Sequence, residues 1–254
     1  MNVSLKSHRW FGQILGLLIL QLSNWRWSWP QVLLTGLLVP LMSLFGISYL
    51  AQQAGNEDAV IYAVSGAMTM ALSFESQNKV SANYAYLKAN GALEFYSSLP
   101  VRKWHFICAT ALAFALFTIP SLLVILTIAK LFLKVPLMLG PWSVVTALLC
   151  IYPFVSIGAL IGNLSSSPEQ ASSFSLAATL LTSTIGPVAV SPQLLPQWFN
   201  RMGMFNPGYH VAELVRAGFF GQLKQGLIVS AVIIGILAIG VSVLATKVMQ
   251  WGSR

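Results

Sequence analysis

The residue types that most often carry chemistry are few in this chain of 254 residues, and they lie far apart. The histidines have no second ligand at helical spacing, and both cysteines lie in apolar stretches. These residues are His8, His105, His210, Cys108, Cys150 and the single aspartate, Asp58. A metal site, a disulfide framework or a Ser-His-Asp triad needs several such groups together. The sequence therefore predicts no catalytic residue and no metal site.

The sequence also contains no G-x-x-x-x-G-K-[ST] loop, which is the segment that commonly cradles nucleotide phosphates. We therefore expect no cofactor to bind to this chain itself. If the protein performs energy-driven work, its energy source is expected to lie in another chain.

The composition excludes an ordinary soluble enzyme, a disordered chain and a fibrous protein. Charged residues make up 8% of the chain and hydrophobic residues 56%, whereas a soluble domain carries roughly 25% charged residues. The net charge of +8 is not a nucleic-acid signal in such a chain, because basic residues outside apolar spans set topology and meet anionic lipid. We expect an integral membrane protein with lipid as a partner and no nucleic acid.

The charge-free windows predict an all-α membrane protein with six transmembrane helices, since a crossing needs about 20 apolar residues. The second window is the weakest, because only 16 residues separate its flanking charges. The six predicted helices are residues 31–50, 59–74, 106–128, 142–162, 171–190 and 225–245.

Residues 1–29 are predicted to form an interfacial amphipathic helix. Lys6, Arg9 and Gln13 fall on one helical stripe, and Trp10 and Leu18 lie on other faces. A basic stripe opposite Trp and Leu is typical of a helix in the headgroup region. A short spanning segment is the alternative.

The distribution of basic residues favours both termini in the cytoplasm. With six spans and an inner N-terminus, nine of the 14 lysines and arginines fall inside, as the positive-inside rule requires.

The inner connection, residues 75–103, contains a predicted short helix. The part before Gly91 has helical composition and could extend the second span, Gly91 permits a break, and Pro100 stops a helix over residues 92–97. Apolar residues here, which a solvated loop would not need, are Leu93, Phe95, Tyr96 and Leu99. The connection is either a solvated hairpin or a helix that docks on a partner.

The outer connection, residues 191–224, is predicted to be a re-entrant helical hairpin in the outer leaflet. Asn206 is a good N-cap and Pro207 suits the first helical position. A helix to about Phe219 would pair Glu213 with Arg216 at i, i+3. The hairpin would be a structural plug, a gate over a pathway, or both.

The order of short motifs in these two connections resembles the ABC-2 family of transporter permeases, the membrane subunits of type V ABC exporters. The first motif is Gly91-Ala92-Leu93-Glu94 followed by Leu99-Pro100-Val101. The second is Leu195-Pro196-x-Trp198 followed by Asn206-Pro207 and Glu213-Leu214-Val215-Arg216. The chain departs from the family at residues 163–170, where the connection is very short and has no basic residue. Whether this connection forms a second contact with a partner subunit stays open.

The resemblance implies the permease subunit of an ATP-driven exporter for a hydrophobic, amphipathic or lipid-linked substrate. It implies a dimer, either a homodimer or a pair with a paralogue, in a bacterial plasma membrane. Separate ATPase subunits would bind ATP and Mg, so this chain would be the non-catalytic part of a translocase. Residues expected to couple to the ATPase are Gly91, Leu93, Glu94, Phe95 and Tyr96, and those expected to shape the outer hairpin are Pro196, Asn206, Pro207, Glu213 and Arg216. A secondary transporter or channel is the alternative.

Overall fold

The fold was analysed in a computed structural model that describes residues 3–24, 37–38, 40–49, 57–223 and 226–249. Every regular element within these residues is helical, and none of them is a strand. The predicted all-α class is therefore confirmed for the described part of the chain.

The helices follow one another with short connections. From the N-terminal side they are α1 (Val3–Asn24), α2 (residues 40–49), α3 (Glu57–Ser73), a π-helical turn (Phe74–Asn78), α4 (Lys79–Ala89), α5 (Ala92–Ser98), α6 (Lys103–Leu131), α7 (Pro141–Leu164), α8 (Pro168–Thr184), a 3₁₀ turn (Pro192–Leu194), α9 (Gln197–Gly203), α10 (Pro207–Phe220) and α11 (Leu227–Val248).

Four helices among the described residues are long and apolar enough to cross a membrane: Asp58–Ala89, Lys103–Leu131, Pro141–Leu164 and Leu227–Val248. The first is almost wholly enclosed by the others, whereas the last exposes most of its surface. The chain is therefore an integral membrane protein, and the count of six spans remains a prediction. Much of the predicted first span, residues 31–50, lies outside the described residues.

The second predicted span is longer than its charge-free window. Helices α3 and α4 are joined through the π-helical turn into one helix, so residues 75–89 are helical. The structure thus confirms that the part before Gly91 extends the second span, and the inner connection begins at Asn90 rather than at residue 75. The charge-free window ended before Glu75, and the predicted span ended with it. In the structure the helix continues past this residue, because Glu75 forms an ion pair with Lys79 one turn later.

The fifth predicted span, residues 171–190, is helical only as far as Thr184. Helix α8 begins after the Ser167 side chain, which accepts a hydrogen bond from the Gln170 backbone. It ends before Gly186 and Pro187, because a proline disfavours helical backbone at the residue before it. Residues 186–189 are buried although they are irregular.

Helix α7 lies at the centre and packs against α4, α6, α10 and α11. Gly158 and Gly162 bring it against the Gln77 and Ser81 carbonyls so closely that a Cβ atom would collide with them. This spacing of small residues lets two membrane helices approach at backbone distance.

Helix α1 runs alongside the first turns of α6 and in the same direction. The Gln13 side-chain amide donates to the Pro100 carbonyl at 2.7 Å, and Gln21 donates to the Thr110 hydroxyl at 2.7 Å. The predicted interfacial position of this helix remains a prediction.

Candidate coupling and gating sites

The first candidate site is the short helix α5 between α4 and α6. Gly91 has a left-handed backbone (φ 69°), which a glycine adopts without the steric cost of a Cβ atom. The chain therefore turns at the end of α4, and α5 begins at the next residue. Leu99, whose backbone is extended, precedes Pro100 and ends the helix. The predicted helix over residues 92–97 is confirmed with one more residue.

The structure divides the apolar cluster that the sequence placed on α5. Leu93 and Tyr96 are buried in the chain's own core, and the Tyr96 ring lies 4.7 Å from the Phe106 ring. Phe95 is 59% exposed, and Glu94 is exposed beside it. Leu93 and Tyr96 thus hold α5 against the bundle, and Phe95 and Glu94 form its outward surface.

The second candidate site is the outer segment of α9 and α10. The predicted N-cap is confirmed, because the Asn206 side-chain oxygen accepts a hydrogen bond from the Gly208 backbone at 3.0 Å. The Asn206 amide nitrogen also donates to the Thr182 carbonyl at 2.9 Å and to the Ile185 carbonyl at 2.5 Å. One side chain therefore begins α10 and ties it to the end of α8.

The two prolines of this segment stand at the starts of its helices. The Pro196 carbonyl accepts the first backbone hydrogen bonds of α9, from Phe199 and Asn200, both at 3.1 Å. Pro207 is the first residue of α10, where its missing N–H would have no helical partner. The predicted helix from Pro207 is confirmed and ends at Phe220.

Arg216 is the most enclosed large side chain of this segment and has no exposed surface. Its Nη2 atom donates to Glu213 at 3.0 Å, which confirms the predicted ion pair, and to the Pro187 carbonyl at 3.3 Å. Its Nη1 atom donates to the Ser65 hydroxyl at 2.9 Å and to the Val188 carbonyl at 3.0 Å. Arg216 therefore joins α10, α3 and the irregular segment after α8.

The Tyr62 ring closes this arginine site from α3, with the guanidinium carbon 4.1 Å from the ring centre. A cation over an aromatic face is attracted by the ring quadrupole, most strongly where water is excluded. Sequence reasoning missed Tyr62 and Ser65, because only packing brings residues so distant along the chain to Arg216. The arginine site also satisfies two carbonyls of the buried, irregular residues 186–189, those of Pro187 and Val188.

A third polar site lies near the middle of the helix Asp58–Ala89. Glu75 is fully buried in the π-helical turn and binds Lys79 at 2.5 Å. Its other carboxylate oxygen is buried without a hydrogen-bond partner among the described residues. Ionisable groups within membrane helices are rare and commonly functional, and π-helical turns often mark functional positions. The sequence analysis did not single out this pair, although two opposite charges at i, i+4 spacing are a signal for an ion pair on a helix.

Two adjoining apolar grooves of about 610 and 530 Å³ lie along α6 and α7 and are open at the outer surface of the bundle, where the lining residue Leu148 is 45% exposed. Both are lined by Leu112, Ala115, Leu148 and Ile151. Their walls are almost entirely hydrocarbon, so they suit an apolar group rather than a charged one.

The connection between α7 and α8 is short and polar. The Glu169 pKa lies below its ordinary value, because the carboxylate accepts hydrogen bonds from its own backbone N–H and from the Ser167 hydroxyl. A lowered acid pKa stabilises the fold at neutral pH and ceases to do so as the pH falls through it. These hydrogen bonds support the start of α8.

His210 is held by two polar partners rather than facing a ligand. Its Nδ1 atom lies 3.0 Å from the Ser230 hydroxyl, and its Nε2 atom lies 2.8 Å from the Met204 carbonyl. This histidine therefore joins α10 to α11 and to the end of α9.

A family model described as ABC-2 type transporter matches residues 12–220 of this chain. The match extends from α1 to the end of α10, so it includes the α5 helix, the buried Glu75–Lys79 pair and the arginine site. No curated protein sequence matches the chain.

Proposed function

Since this chain belongs to the ABC-2 type transporter family and is thus a permease of an ABC-type transporter, we propose that it forms the substrate pathway of an ATP-driven exporter. A separate ATPase subunit binds ATP and Mg and supplies the energy. The protein lies in a bacterial plasma membrane with both termini in the cytoplasm. The family match favours this reading over a secondary transporter or channel.

The observation that carries the proposal is the outward surface of α5. Phe95 exposes a large ring next to Glu94 on a helix that is itself fixed by the buried Leu93 and Tyr96. An exposed aromatic anchor on a rigid support is typical of an interface hot spot. We take this surface as the site at which the ATPase subunit binds.

A second permease copy is supported by polar side chains on the helix Asp58–Ala89. Asn78, Lys79 and Asn83 are only half-buried although most of this helix is enclosed, and Tyr86, one turn further along, is 57% exposed. Polar groups that face lipid are costly, so they normally face protein or a water-filled cavity. A dimer whose substrate pathway runs along these three half-buried side chains would provide that environment.

The outer segment is proposed to dip into the outer leaflet and to gate the pathway. Its exposed surface is largely apolar and aromatic, with Phe205 91% exposed and Trp198, Met202 and Met204 also exposed beside Gln197 and Arg201. Such a surface suits the membrane interface. The buried Arg216 site beneath it would hold the closed state.

The substrate class is proposed to be hydrophobic, amphipathic or lipid-linked. The open apolar grooves along α6 and α7 support this class, because a hydrocarbon chain could lie in them without leaving a polar group unpaired.

The test is co-purification followed by reconstitution. The chain is expressed with a candidate ATPase, chosen as a neighbouring reading frame that contains a phosphate-binding loop, and is purified through a tag on the permease. The complex is then placed in proteoliposomes with fluorescent amphipathic and lipid-linked probes. We expect a stable complex and ATP-dependent movement of at least one probe away from the ATPase side. Movement driven by an ion gradient without ATP would contradict the proposal.

A further inference from the structure

Two lysines flank the α5 helix, and each binds the cytoplasmic end of a different spanning helix. The Lys88 ammonium donates to the Asn163 carbonyl at 3.0 Å and to the Ser165 carbonyl at 3.2 Å, at the end of α7. The Lys103 ammonium donates to the Thr246 carbonyl at 3.0 Å and to the Met249 carbonyl at 2.7 Å, at the end of α11.

These contacts are strong for a physical reason. The last carbonyls of a helix have no partner within the helix, and the helix dipole makes that end negative. Hydrogen bonds from a charged donor are roughly twice as strong as neutral ones. Both lysines are half-buried, so water competes less for their charge than it would at an exposed position.

The rest of α5 is equally well attached. Tyr96 packs on Phe106 of α6, and the Pro100 carbonyl accepts a hydrogen bond from Gln13 of α1. The segment 88–103 therefore behaves as a stiff bracket, with a lysine at each end bound to a helix that is distant in sequence. A displacement of α5 would pull directly on the ends of α7 and α11.

We propose that Lys88 and Lys103 are positioning residues that transmit movement of α5 to the cytoplasmic ends of α7 and α11. This inference rests on the proposed function, since it assumes that an ATPase subunit moves α5. Nothing in the family match identifies these two side chains; their contacts with carbonyls 75 to 146 residues away identify them. Both lysines donate to carbonyls at the ends of α7 and α11, away from the exposed surface of α5 at which the ATPase is proposed to bind.

The test compares Lys88→Gln, Lys103→Gln and the double variant in the reconstituted complex. Glutamine keeps a polar side chain and removes the charge that binds the helix ends. We expect ATPase-subunit affinity and ATP hydrolysis to stay within about twofold of wild type. We expect transport per ATP hydrolysed to fall about tenfold in the double variant. Lys88→Arg and Lys103→Arg should restore most of the ratio, because the guanidinium also donates to carbonyls.

The matched control is Lys130→Gln, which removes an exposed lysine from the last turn of α6, at the other end of that helix. It should leave the ratio unchanged. A wild-type ratio in the double glutamine variant would overturn the inference, as would a parallel fall of transport, hydrolysis and folded yield, which indicates a merely structural role. If the wild-type complex shows no ATP-driven transport, the proposed function fails first, and the inference fails with it.

Discussion

At the scale of single residues, Arg216 shows how this protein keeps a charge away from water. Four hydrogen bonds and the Tyr62 ring surround its guanidinium, and two of the acceptors are backbone carbonyls of the segment after α8. Removing one partner from a buried charge of this kind is strongly destabilising. The arginine therefore makes the fold of the outer segment conditional on the position of α3.

Replacing Arg216 with methionine should destabilise the protein by about 3–5 kcal/mol, because the substitution removes the charge that faces the buried Glu213. The free energy of unfolding in mixed detergent micelles is the measurement. Arg201→Met, at an exposed position on α9, should change it by less than about 0.5 kcal/mol. The double variant Glu213→Gln, Arg216→Met should recover part of the loss. Equal stability of the two single arginine variants would refute this account of the site.

At the scale of helices, two kinds of contact decide the geometry: backbone approach and capping. The approach of α7 depends on Gly158 at the π-helical turn and on Gly162 at α4, and the attachment of α10 to α8 depends on Asn206. In the proposed transport cycle, the helices joined by each contact would either move together or separate. Both contacts can be tested without disturbing the charged sites.

Gly158→Ala should destabilise the protein by about 1–3 kcal/mol, because the new methyl group meets the Gln77 carbonyl. Gly240→Ala is the matched control, since a Cβ atom there has open space on α11. It should be neutral or stabilising by up to about 1 kcal/mol, as alanine is the better helix former. The readout is again unfolding in mixed micelles. A loss of stability in the control as large as that in Gly158→Ala would show that the close approach is not the cause.

Asn206→Asp should separate the two roles of this side chain. Aspartate keeps the oxygen that caps α10 but loses the donor to the Thr182 and Ile185 carbonyls. Hydrogen exchange should therefore rise in residues 185–190 and stay unchanged at the start of α10. Asn206→Ala should raise exchange in both, about fivefold in α10, since an N-cap contributes about 1 kcal/mol. Unchanged exchange across residues 208–216 in the alanine variant would contradict the capping role.

At the scale of the whole molecule, the buried residues of α5 belong to the core of the permease, and its exposed residues form the surface that we propose binds the ATPase. Phe95→Ala should leave the stability of the permease unchanged and weaken ATPase binding at least tenfold, as expected for an interface anchor. Leu93→Ala should destabilise the permease by about 2–5 kcal/mol, because it opens a cavity in the core. Phe132→Ala, at the other end of α6 and 73% exposed, is the control and should not affect binding. Binding by Phe95→Ala as tight as wild type would exclude the α5 surface as the docking site.

The orientation of the bundle can be read with single cysteines in a Cys108→Ala, Cys150→Ala background. Ser98→Cys on α5 and Gln193→Cys in the outer segment occupy exposed positions at opposite ends of the proposed topology. A membrane-impermeant thiol reagent added outside intact cells should label the second and not the first. The cysteine-free background should remain unlabelled. Labelling of Ser98→Cys from outside would reverse the orientation and remove α5 from the cytoplasm.

The sequence by itself determined the features that depend on neighbours along the chain. It determined the all-α membrane class from composition, the α5 helix from Gly91 and Pro100, and the start of α10 from Asn206 and Pro207. It also determined the Glu213–Arg216 pair, because residues three apart on a helix face each other. The class follows from the composition of the whole chain, and each of the other features is decided within a few residues, where backbone geometry leaves little choice.

Only the tertiary structure decided which side of each element is buried. It placed Leu93 and Tyr96 inside and Phe95 outside, enclosed Glu75 in the middle of a helix, and surrounded Arg216 with groups from α3 and the segment after α8. It also brought Lys88 and Lys103 to the ends of α7 and α11. These partners lie up to 151 residues apart. Their meeting depends on how whole helices pack, and no local pattern of residues encodes that.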